Sequence, residues 1–223
     1  MAERVEAVRA TIAAACARAG RDPGDVRLIA ATKTIGEGSI LAARSAGVAD
    51  FAENYAKELA RKARAIPATW HFVGKLQAGT AAIVADAAAV VHSAEPGTGL
   101  ERVAGRAARR GRAIDALVQV DFTGQRQGVD PEHLRAFVDA AEGVDGIRLI
   151  GLMTLPPQTP RAEGARPYFA RLRDLRDGLL FAHPDLVELS MGMSADYAVA
   201  VEEGATMVRV GTALFGARPP IAR

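Results

Sequence analysis

The sequence has little of what would indicate secretion, membrane insertion or redox chemistry. Its single cysteine, Cys16, cannot form an internal disulfide and lies in a helical pattern, where a packing role is the ordinary one. No apolar stretch reaches the roughly 18 residues that a membrane helix needs. Residues 1–10 mix acids and bases and lack the apolar core of a signal peptide. We therefore expect a cytoplasmic protein with no membrane partner.

Charge of either sign is not in large excess. The 223-residue chain has a formal net charge of +2, although 24% of its residues are charged. The clearest basic stretch, residues 105–112, ends a helical segment, where cations favour the helix dipole and a solvated face is the usual outcome. The sequence therefore predicts no nucleic-acid partner, and no metal site is predicted.

Short apolar or β-branched runs alternate with segments of helical periodicity along the whole chain. The runs lie at residues 26–32, 48–51, 70–73, 89–92, 116–121, 147–153, 186–190 and 207–210. The helical segments include residues 53–65, 100–110, 131–141, 167–180 and 195–203. This alternation implies right-handed crossovers and a parallel sheet, and eight repeats are the number that closes a barrel.

We therefore predict an α/β protein that forms a single (β/α)8 TIM barrel domain over residues 1–223. An open, doubly wound sheet is the alternative. An extra N-terminal helix over residues 4–19 is also expected, because Val5, Val8 and Ile12 share one helical face.

Lysine is scarce, because arginine supplies nearly all of the positive charge. The lysines are Lys33, Lys57, Lys62 and Lys75. Lys33 follows the apolar run of LIAATKTIGEG, residues 28–38, where a charged side chain is costly. A lysine in that place suggests that the site requires an amine, which can lose its proton and form a Schiff base. The structural alternative is an ion pair between Lys33 and a carboxylate such as that of Glu53.

In a barrel of this class, chemistry takes place in the loops at the C-terminal ends of the strands. Polar residues collect at these ends of the predicted strands: Lys33, Glu53, Asn54, His71, Lys75, His92, Ser93, Asp121, Ser190 and Arg209. The period of two along a strand places Lys33 on the face of Ile29, and Arg209 on the face of Met207. Both cations are therefore predicted to point into the barrel mouth.

The loops after the seventh and eighth predicted strands have the composition of an anion site. SMGMSADY, which begins at residue 190, has hydroxyls at Ser190 and Ser194, a permissive Gly192 and a helix predicted to begin near Ser194. VGTALFGA follows, with Gly211 for close backbone approach and a further hydroxyl at Thr212. Barrels of this class frequently bind phosphate between these loops. Helix caps and turns alone would give the same residues.

One ligand accounts for both the loops and the lysine. Pyridoxal phosphate (PLP) has a phosphate for the loops and an aldehyde for an amine on the first strand, which neighbours the eighth strand in a closed barrel. The motifs ATKT, AENY, WHFVGKLQ, GLMT, LSMGMSAD and MVRVGTALFGAR then follow one another over nearly the whole chain. In combination they closely resemble the pyridoxal phosphate homeostasis protein family.

The resemblance implies a single barrel related to the N-terminal domain of alanine racemase, with Lys33 holding PLP as an aldimine and Asn54 near the cofactor ring. The residues that it implies around the phosphate are Ser190, Gly192, Ser194, Gly211 and Thr212. It also implies that Arg209 faces the pyridine nitrogen. A guanidinium there donates a hydrogen bond but does not protonate the nitrogen, so the ring would be a weaker electron sink.

The chain departs from the family pattern in two places, neither of which touches the lysine or the phosphate motifs. The family usually has GENY, but this chain has Ala52 before Glu53. The LQ motif is followed by residues 78–80, AGT, where the family has a residue and then Asn-Lys. The second departure lies in the loop after the third strand, where Lys75 could partly compensate; a solvent-facing lysine is the structural alternative.

The resemblance implies a protein that holds, buffers or delivers PLP, with no catalytic residues of its own and with PLP-requiring apoenzymes as candidate recipients. A PLP-dependent amino-acid racemase is the alternative. Racemisation needs an acid and a base on opposite faces of the α-carbon, and in the related racemases a tyrosine from an additional β domain serves the second face. The chain ends at Arg223, and none of Tyr55, Tyr168 and Tyr197 lies in a segment that clearly reaches that face. The binding protein is therefore favoured.

Two further expectations concern the substrate and the oligomeric state. A Schiff-base aldolase without a cofactor would use the same lysine and loops for a sugar phosphate. No long exposed apolar stripe in the sequence requires a partner, so a monomer is expected.

Overall fold

The computed structural model describes residues 1–217, in which eight parallel strands form one closed barrel. The strands are β1 (Arg27–Ala31), β2 (Asp50–Glu53), β3 (Thr69–Phe72), β4 (Val90–Ala94), β5 (Ile114–Val120), β6 (Ile147–Thr154), β7 (Glu188–Ser190) and β8 (Met207–Val210). Each strand pairs with the next, and β1 also pairs with β8, for example at Leu28 and Val208. This closure confirms the predicted barrel and excludes the open sheet. Residues 218–223 of the predicted domain lie outside the described part of the chain.

Helices cover the outside of the barrel. The α-helices of the described residues are α1 (Ala2–Ala19), α2 (Glu37–Ser45), α3 (Ala56–Ala65), α4 (Ala81–Ala87), α5 (Thr98–Ala108), α6 (Leu134–Ala141), α7 (Arg166–Leu179), α8 (Tyr197–Glu202) and α9 (Thr212–Phe215). Short 3-10 helices lie at Pro23–Asp25, Pro131–His133 and Ala162–Ala165. Within the described residues, no helix is both long enough and apolar enough to cross a membrane.

The extra N-terminal helix is confirmed as α1. Val5, Val8 and Ile12 are buried along one face, as their spacing predicts. A salt bridge of 2.6 Å between Arg18 and Glu202 connects α1 to α8 on the outside of the barrel. The helix therefore packs beside the last strands, next to the point where the barrel closes.

Two short helices and the start of α3 differ from the sequence pattern. The sequence does not predict α2 or α4, because both are short and α4, with the sequence AAIVADA, has too many alanines to show one apolar face. The predicted start of a helix at residue 53 is wrong, because Glu53 is the last residue of β2 and α3 begins at Ala56. The side chain of Glu53 is fully buried.

Inward-facing residues form an apolar layer and a polar layer inside the barrel. The apolar layer consists of Ile29, Ala52, Val90, Leu117, Met153 and Met207. His71 pairs in register with Ala52, and Ser190 pairs with Met207, so both also face inward. Arg209 lies two residues beyond Met207 on the same face. Barrel interiors are ordinarily filled by branched apolar residues, so the inward-facing His71, Ser190 and Arg209, here named the polar layer, are the unusual feature of this interior.

Candidate functional site

Lys33 lies in a tight turn directly after β1. The N–H of Ile35 donates to the carbonyl of Thr32 at 2.9 Å, which closes the turn around Lys33. Thr34 has φ of 65°, a left-handed conformation that is rare for a β-branched residue. Strain of this kind costs about 1–3 kcal/mol and persists only where the surrounding structure enforces it. The backbone of Lys33, whose side chain is partly buried, is therefore fixed on both sides.

A buried ion pair lies beneath this turn and joins β1, β2 and α3. Lys62 of α3 pairs with Glu53 at the end of β2, and its Nζ also donates to the carbonyl of Thr32 at 2.8 Å. The hydroxyl of Thr32 donates to the Glu53 carboxylate at 2.8 Å. Thr32, Glu53 and Lys62, here named the clamp, are each fully buried. Because Thr32 precedes Lys33 and Glu53 precedes Asn54, the clamp positions both predicted site residues.

Glu53, which the sequence suggested as a partner for Lys33, forms an ion pair with Lys62. The Glu53 carboxylate accepts bonds from Lys62, from Thr32 and from the N–H of Asn54, the last at 3.2 Å. Lys62 is not among the residues that the sequence predicts for the site. A signal was present, however, because Ala56, Leu59 and Lys62 follow one another at a spacing of three on the buried face of α3.

The loop after β3 packs directly against Asn54. A side chain at Gly74 would come within 2.0 Å of the Asn54 carbonyl oxygen, so only glycine fits there. The hydroxyl of Ser93 donates to the carbonyl of Gly74 at 2.6 Å and holds the loop from the β4 side. Lys75 is exposed. The glycine of the WHFVGKLQ motif is therefore explained by the close approach of two backbone segments.

The loops after β7 and β8 are joined to each other by hydrogen bonds. The N–H of Arg209 donates to the carbonyl of Gly192 at 3.0 Å. The hydroxyl oxygen of Ser194 accepts from the N–H of Gly211 at 3.0 Å and from that of Ala213 at 3.4 Å. Four of the predicted site residues, Gly192, Ser194, Arg209 and Gly211, are thus brought together in one place.

Gly192 is required by both its conformation and its surroundings. Its φ of 90° is a conformation that other residues rarely adopt, and a side chain there would come within 2.5 Å of the Ala200 side chain. The loop after β7 can therefore follow this path only with glycine, which sets where Ser194 lies.

The helix that was predicted to begin near Ser194 begins at Tyr197. The intervening residues form a turn, in which the Asp196 carboxylate accepts the N–H of Met193 at 2.6 Å. Burial raises the pKa of Asp196, while the Met193 N–H and the charge of Arg209 oppose that rise.

Thr212 is exposed and is the first residue of α9, so its predicted phosphate contact stays a prediction.

Ser190 lies deeper than the other predicted phosphate residues. Its side chain is fully buried, and its hydroxyl is bonded to Arg209 and to His92. The structure therefore places Ser190 with Arg209, and its predicted contact with a phosphate stays a prediction.

Arg209 is buried in the polar layer. One of its terminal nitrogens donates to Ser190, and the other donates to the carbonyl of Thr154 at 3.1 Å. Burial lowers the pKa of Arg209 to about 10, although the charge of Asp196 opposes the change. A guanidinium with this pKa still carries its proton at neutral pH and can only donate hydrogen bonds.

His92 gives the fold a predictable dependence on pH. Burial holds the pKa of His92 well below its usual value, with further lowering by the charges of His71, Arg209 and Arg27. The unfolded chain takes up this proton near pH 6.5, but the folded protein does not. The free energy of unfolding should therefore fall as the pH drops below about 6.5, by up to about 1.4 kcal/mol per pH unit from His92.

Urea unfolding at several pH values measures this slope. The His92→Asn variant should lose that part of the slope, and the same substitution at solvent-exposed His133 is the control. A slope that is identical in the wild-type protein and in His92→Asn would contradict the assignment.

The C-terminal ends of β1, β7 and β8 thus carry hydrogen-bond donors, which suit an anionic ligand, and a lysine amine, which suits an electrophilic carbon. The loops after β7 and β8 supply the Ser194 hydroxyl and the backbone N–H groups of Gly211 and Ala213, and Lys33 follows β1, the strand that pairs with β8. The fold and these residues define a (β/α)8 barrel protein with a lysine next to a candidate anion site.

Residues 4–219 match the family model described as the N-terminal domain of alanine racemase. The pyridoxal phosphate homeostasis protein of Aquifex aeolicus is 36% identical over 222 residues, which are 97% of this chain and 97% of that protein. The chain therefore belongs to the alanine racemase N-terminal domain family and, within it, to the pyridoxal phosphate homeostasis proteins.

Solved structures agree with this assignment. PipY from Synechococcus elongatus PCC7942, solved with PLP bound, superimposes with a TM-score of 0.85 and is 33% identical, over 96% of this chain and 99% of PipY. The alanine racemase of Streptomyces lavendulae superimposes with a TM-score of 0.70 and is 22% identical, over 96% of this chain but 58% of the racemase. The racemase therefore shares the barrel, whereas PipY is similar along its whole length.

Proposed function

We propose that this protein binds PLP in the barrel mouth and holds it for buffering or delivery to PLP-requiring apoenzymes. The observation that carries the proposal is the position of Lys33. It directly follows β1, and β1 pairs with β8, whose following loop is bonded to Ser194 in the candidate anion site. The relatives support it, because they are named for PLP homeostasis and PipY was solved with PLP bound. The proposal includes a monomer in the cytoplasm.

Lys33 would hold the cofactor covalently. Its amine would supply the nitrogen of a Schiff base with the aldehyde of PLP, with release of one water molecule. Ser194, Gly211 and Thr212 would surround the phosphate through hydroxyl and backbone N–H groups, and Gly192 would set the path of the loop. Asn54 would lie near the ring, and Ser190 would act through Arg209.

Arg209 favours holding the cofactor over turning it into a catalyst. When bound in a protein, PLP supplies an electron sink for carbanions, and that sink is strongest when the ring nitrogen is protonated. Arg209 would donate a hydrogen bond to this nitrogen and keep its own proton. Carbanion chemistry would therefore be restrained at this site.

Absorbance and borohydride trapping of the purified protein test the proposal. The protein loaded with PLP should be yellow, and borohydride should bleach it and fix a pyridoxyl group on the peptide that contains Lys33. A colourless protein that traps a sugar phosphate on the same lysine would support the aldolase instead. A pyridoxyl group on Lys57, Lys62 or Lys75, with none on Lys33, would contradict the assignment.

Removing the Ser194 hydroxyl should weaken PLP binding without unfolding the barrel. Ser194→Ala leaves the N–H groups of Gly211 and Ala213 without their acceptor and removes a donor for the phosphate. We expect the Kd for PLP to rise roughly tenfold, which corresponds to one charge-assisted hydrogen bond. Fluorescence titration measures the Kd, and Ser39→Ala on exposed α2 is the matched control. An unchanged Kd in both Ser194→Ala and Thr212→Ala would remove the phosphate assignment.

A racemase is the second candidate, because the family model is that of the alanine racemase N-terminal domain. Tyr55 is the tyrosine to consider as a second acid or base, since it follows Asn54 and its side chain is 57% exposed. Exchange of the alanine α-proton in deuterated water, catalysed by the loaded protein and abolished by Lys33→Ala, would establish an enzyme. The binding protein predicts no exchange above that of PLP alone.

A further inference from the structure

A chain of hydrogen bonds crosses the inside of the barrel from Asp50 to Arg209. Asp50 Oδ1 lies 3.0 Å from His71 Nε2, and His71 Nδ1 lies 2.8 Å from His92 Nε2. His92 Nδ1 lies 2.8 Å from the hydroxyl of Ser190, which is bonded in turn to Arg209. These five residues, here named the relay, come from β2, β3, β4, β7 and β8.

The two ends of the relay open to different places. Arg209 lies at the end of the barrel that carries the proposed PLP site. Asp50 is the first residue of β2 and lines a crevice of about 460 Å³, together with Arg9 and Ile12 of α1 and Leu28 of β1. The relay therefore connects the proposed site with the opposite end of the barrel.

The Asp50 carboxylate accepts hydrogen bonds and the Arg209 guanidinium donates them, so every contact of the relay is a hydrogen bond when the protons run from Arg209 to Asp50. Arg209 can only donate, so the Ser190 oxygen accepts from it, and the Ser190 proton is available for His92 Nδ1. In a neutral imidazole, His92 then carries its proton on Nε2 and donates to His71 Nδ1. His71 carries its proton on Nε2 and donates to the Asp50 carboxylate. Both rings are thereby assigned the same tautomer, with hydrogen on Nε2.

The relay is not a nucleophilic triad, although it contains a serine, histidines and an aspartate. Ser190, His71 and His92 are fully buried, so a substrate carbonyl has no access to the hydroxyl. All bonds of the relay point the same way, from guanidinium to carboxylate, which is the arrangement in which successive hydrogen bonds strengthen one another. The geometry therefore suits a device that orients Arg209.

We propose that Asp50, His71 and His92 are positioning residues that hold Arg209, through Ser190, in the orientation that meets the bound ligand. This proposal rests on the proposed function for the identity of that ligand, PLP. Asp50 supplies the terminal acceptor, so it controls the site from the opposite end of the barrel. An apolar residue at position 50 leaves the His71 Nε2–H without an acceptor.

The relay can then only reverse. His71 would carry its proton on Nδ1 and donate to His92, and His92 would donate to Ser190. The Ser190 oxygen would receive donors from both His92 and Arg209, so its contact with Arg209 would weaken. Asp50→Asn is the matched control, because its amide oxygen still accepts from His71 Nε2.

Nitrogen-15 NMR of the histidine side chains in the ligand-free protein tests the relay without any cofactor. In the wild-type protein and in Asp50→Asn, His71 and His92 should carry hydrogen on Nε2 only. The exposed ring of His133, which exchanges protons with water, is the reference for an unrestrained histidine signal. Asp50→Leu should show hydrogen on Nδ1 of both rings. Hydrogen on Nδ1 of either ring in the wild-type protein would overturn the proposal, as would unchanged tautomers in Asp50→Leu. If Asp50→Leu does not fold, Asp50→Ala, which adds no bulk, takes its place.

PLP titration tests whether the relay reaches the site. The Kd should rise roughly tenfold in Asp50→Leu and stay within about twofold in Asp50→Asn, which corresponds to the loss of one oriented hydrogen bond. The long-wavelength absorption band of the PLP complex should also shift in Asp50→Leu alone. Reversed tautomers with an unchanged Kd and an unchanged band would overturn the positioning role. If the wild-type protein bound no PLP, the proposed function would fail, and the NMR result would still decide the direction of the relay.

Discussion

Replacing Lys33 by arginine should abolish the covalent attachment of PLP while leaving the barrel folded. Arginine keeps the positive charge at this position, but its guanidinium does not lose a proton and forms no Schiff base. The phosphate contacts remain, so weak binding should persist. We expect the Kd for PLP to rise by at least about 100-fold, which corresponds to about 2.7 kcal/mol. Borohydride reduction followed by peptide mass mapping should then find no pyridoxyl group on the peptide of residue 33.

The remaining lysines supply the controls for this experiment. Lys57→Arg changes an exposed side chain of α3, and Lys75→Arg changes an exposed side chain in the loop after β3. Both variants should keep the wild-type Kd and the trapped adduct. Urea denaturation should place the stability of Lys33→Arg within about 1 kcal/mol of wild type, which separates a lost bond from a lost fold. A trapped adduct of wild-type yield in Lys33→Arg would sink the lysine assignment.

Removing Lys62 should have the largest effect on stability. Lys62→Met leaves the Glu53 carboxylate buried without its cation, and both side chains are fully buried in the protein. Breaking one partner of such a pair costs about 3–5 kcal/mol, because an uncompensated charge remains in a place without water. Against a typical free energy of unfolding of about 5–15 kcal/mol, this loss is a large fraction of the total. Urea or thermal denaturation at neutral pH measures it.

A double variant separates the cost of an unpaired buried charge from the loss of the contacts that position the site. Glu53→Leu combined with Lys62→Met removes both charges, and apolar replacements of a buried pair are often neutral or stabilising. The double variant should therefore regain most of the stability, whereas Lys57→Met on the exposed face of α3 should change it by less than about 0.5 kcal/mol. Because Thr32 and the Asn54 N–H lose their partner, PLP binding should stay weakened even in the stable double variant. A loss below about 1 kcal/mol in Lys62→Met would argue against the clamp.

The barrel and the position of Lys33 could be predicted because they depend on patterns that the sequence carries locally. Each strand is a short apolar run, and the alternation of eight runs with helical segments is sufficient to suggest closure. Lys33 stands out because it ends such a run in a chain that otherwise uses arginine. Gly192 was predicted for a similar reason, and its φ of 90° and its close neighbours do require glycine, whereas the role of Gly211 stays a prediction.

The clamp and the relay depend instead on pairing between distant segments. Lys62 meets Thr32 only because α3 packs across the ends of β1 and β2. His71 and His92 meet only through the register of β3 with β4, in which His71 pairs with Val90. A single residue such as Asp50 gives no local sign of either role. Predicting these contacts requires the strand register, which hydrophobic periodicity does not fix to one residue.

Closure of the barrel through β1 and β8 has a thermodynamic consequence. Lys33 comes from the first strand unit, and Arg209, Gly211 and Thr212 come from the last, so a ligand that touches both groups binds only after the two ends of the sheet have joined. Such a ligand has no equivalent site on a partly folded or unfolded chain. Its binding would then raise the free energy of unfolding of the whole barrel, by about 2.7 kcal/mol at a free-ligand concentration 100 times its Kd.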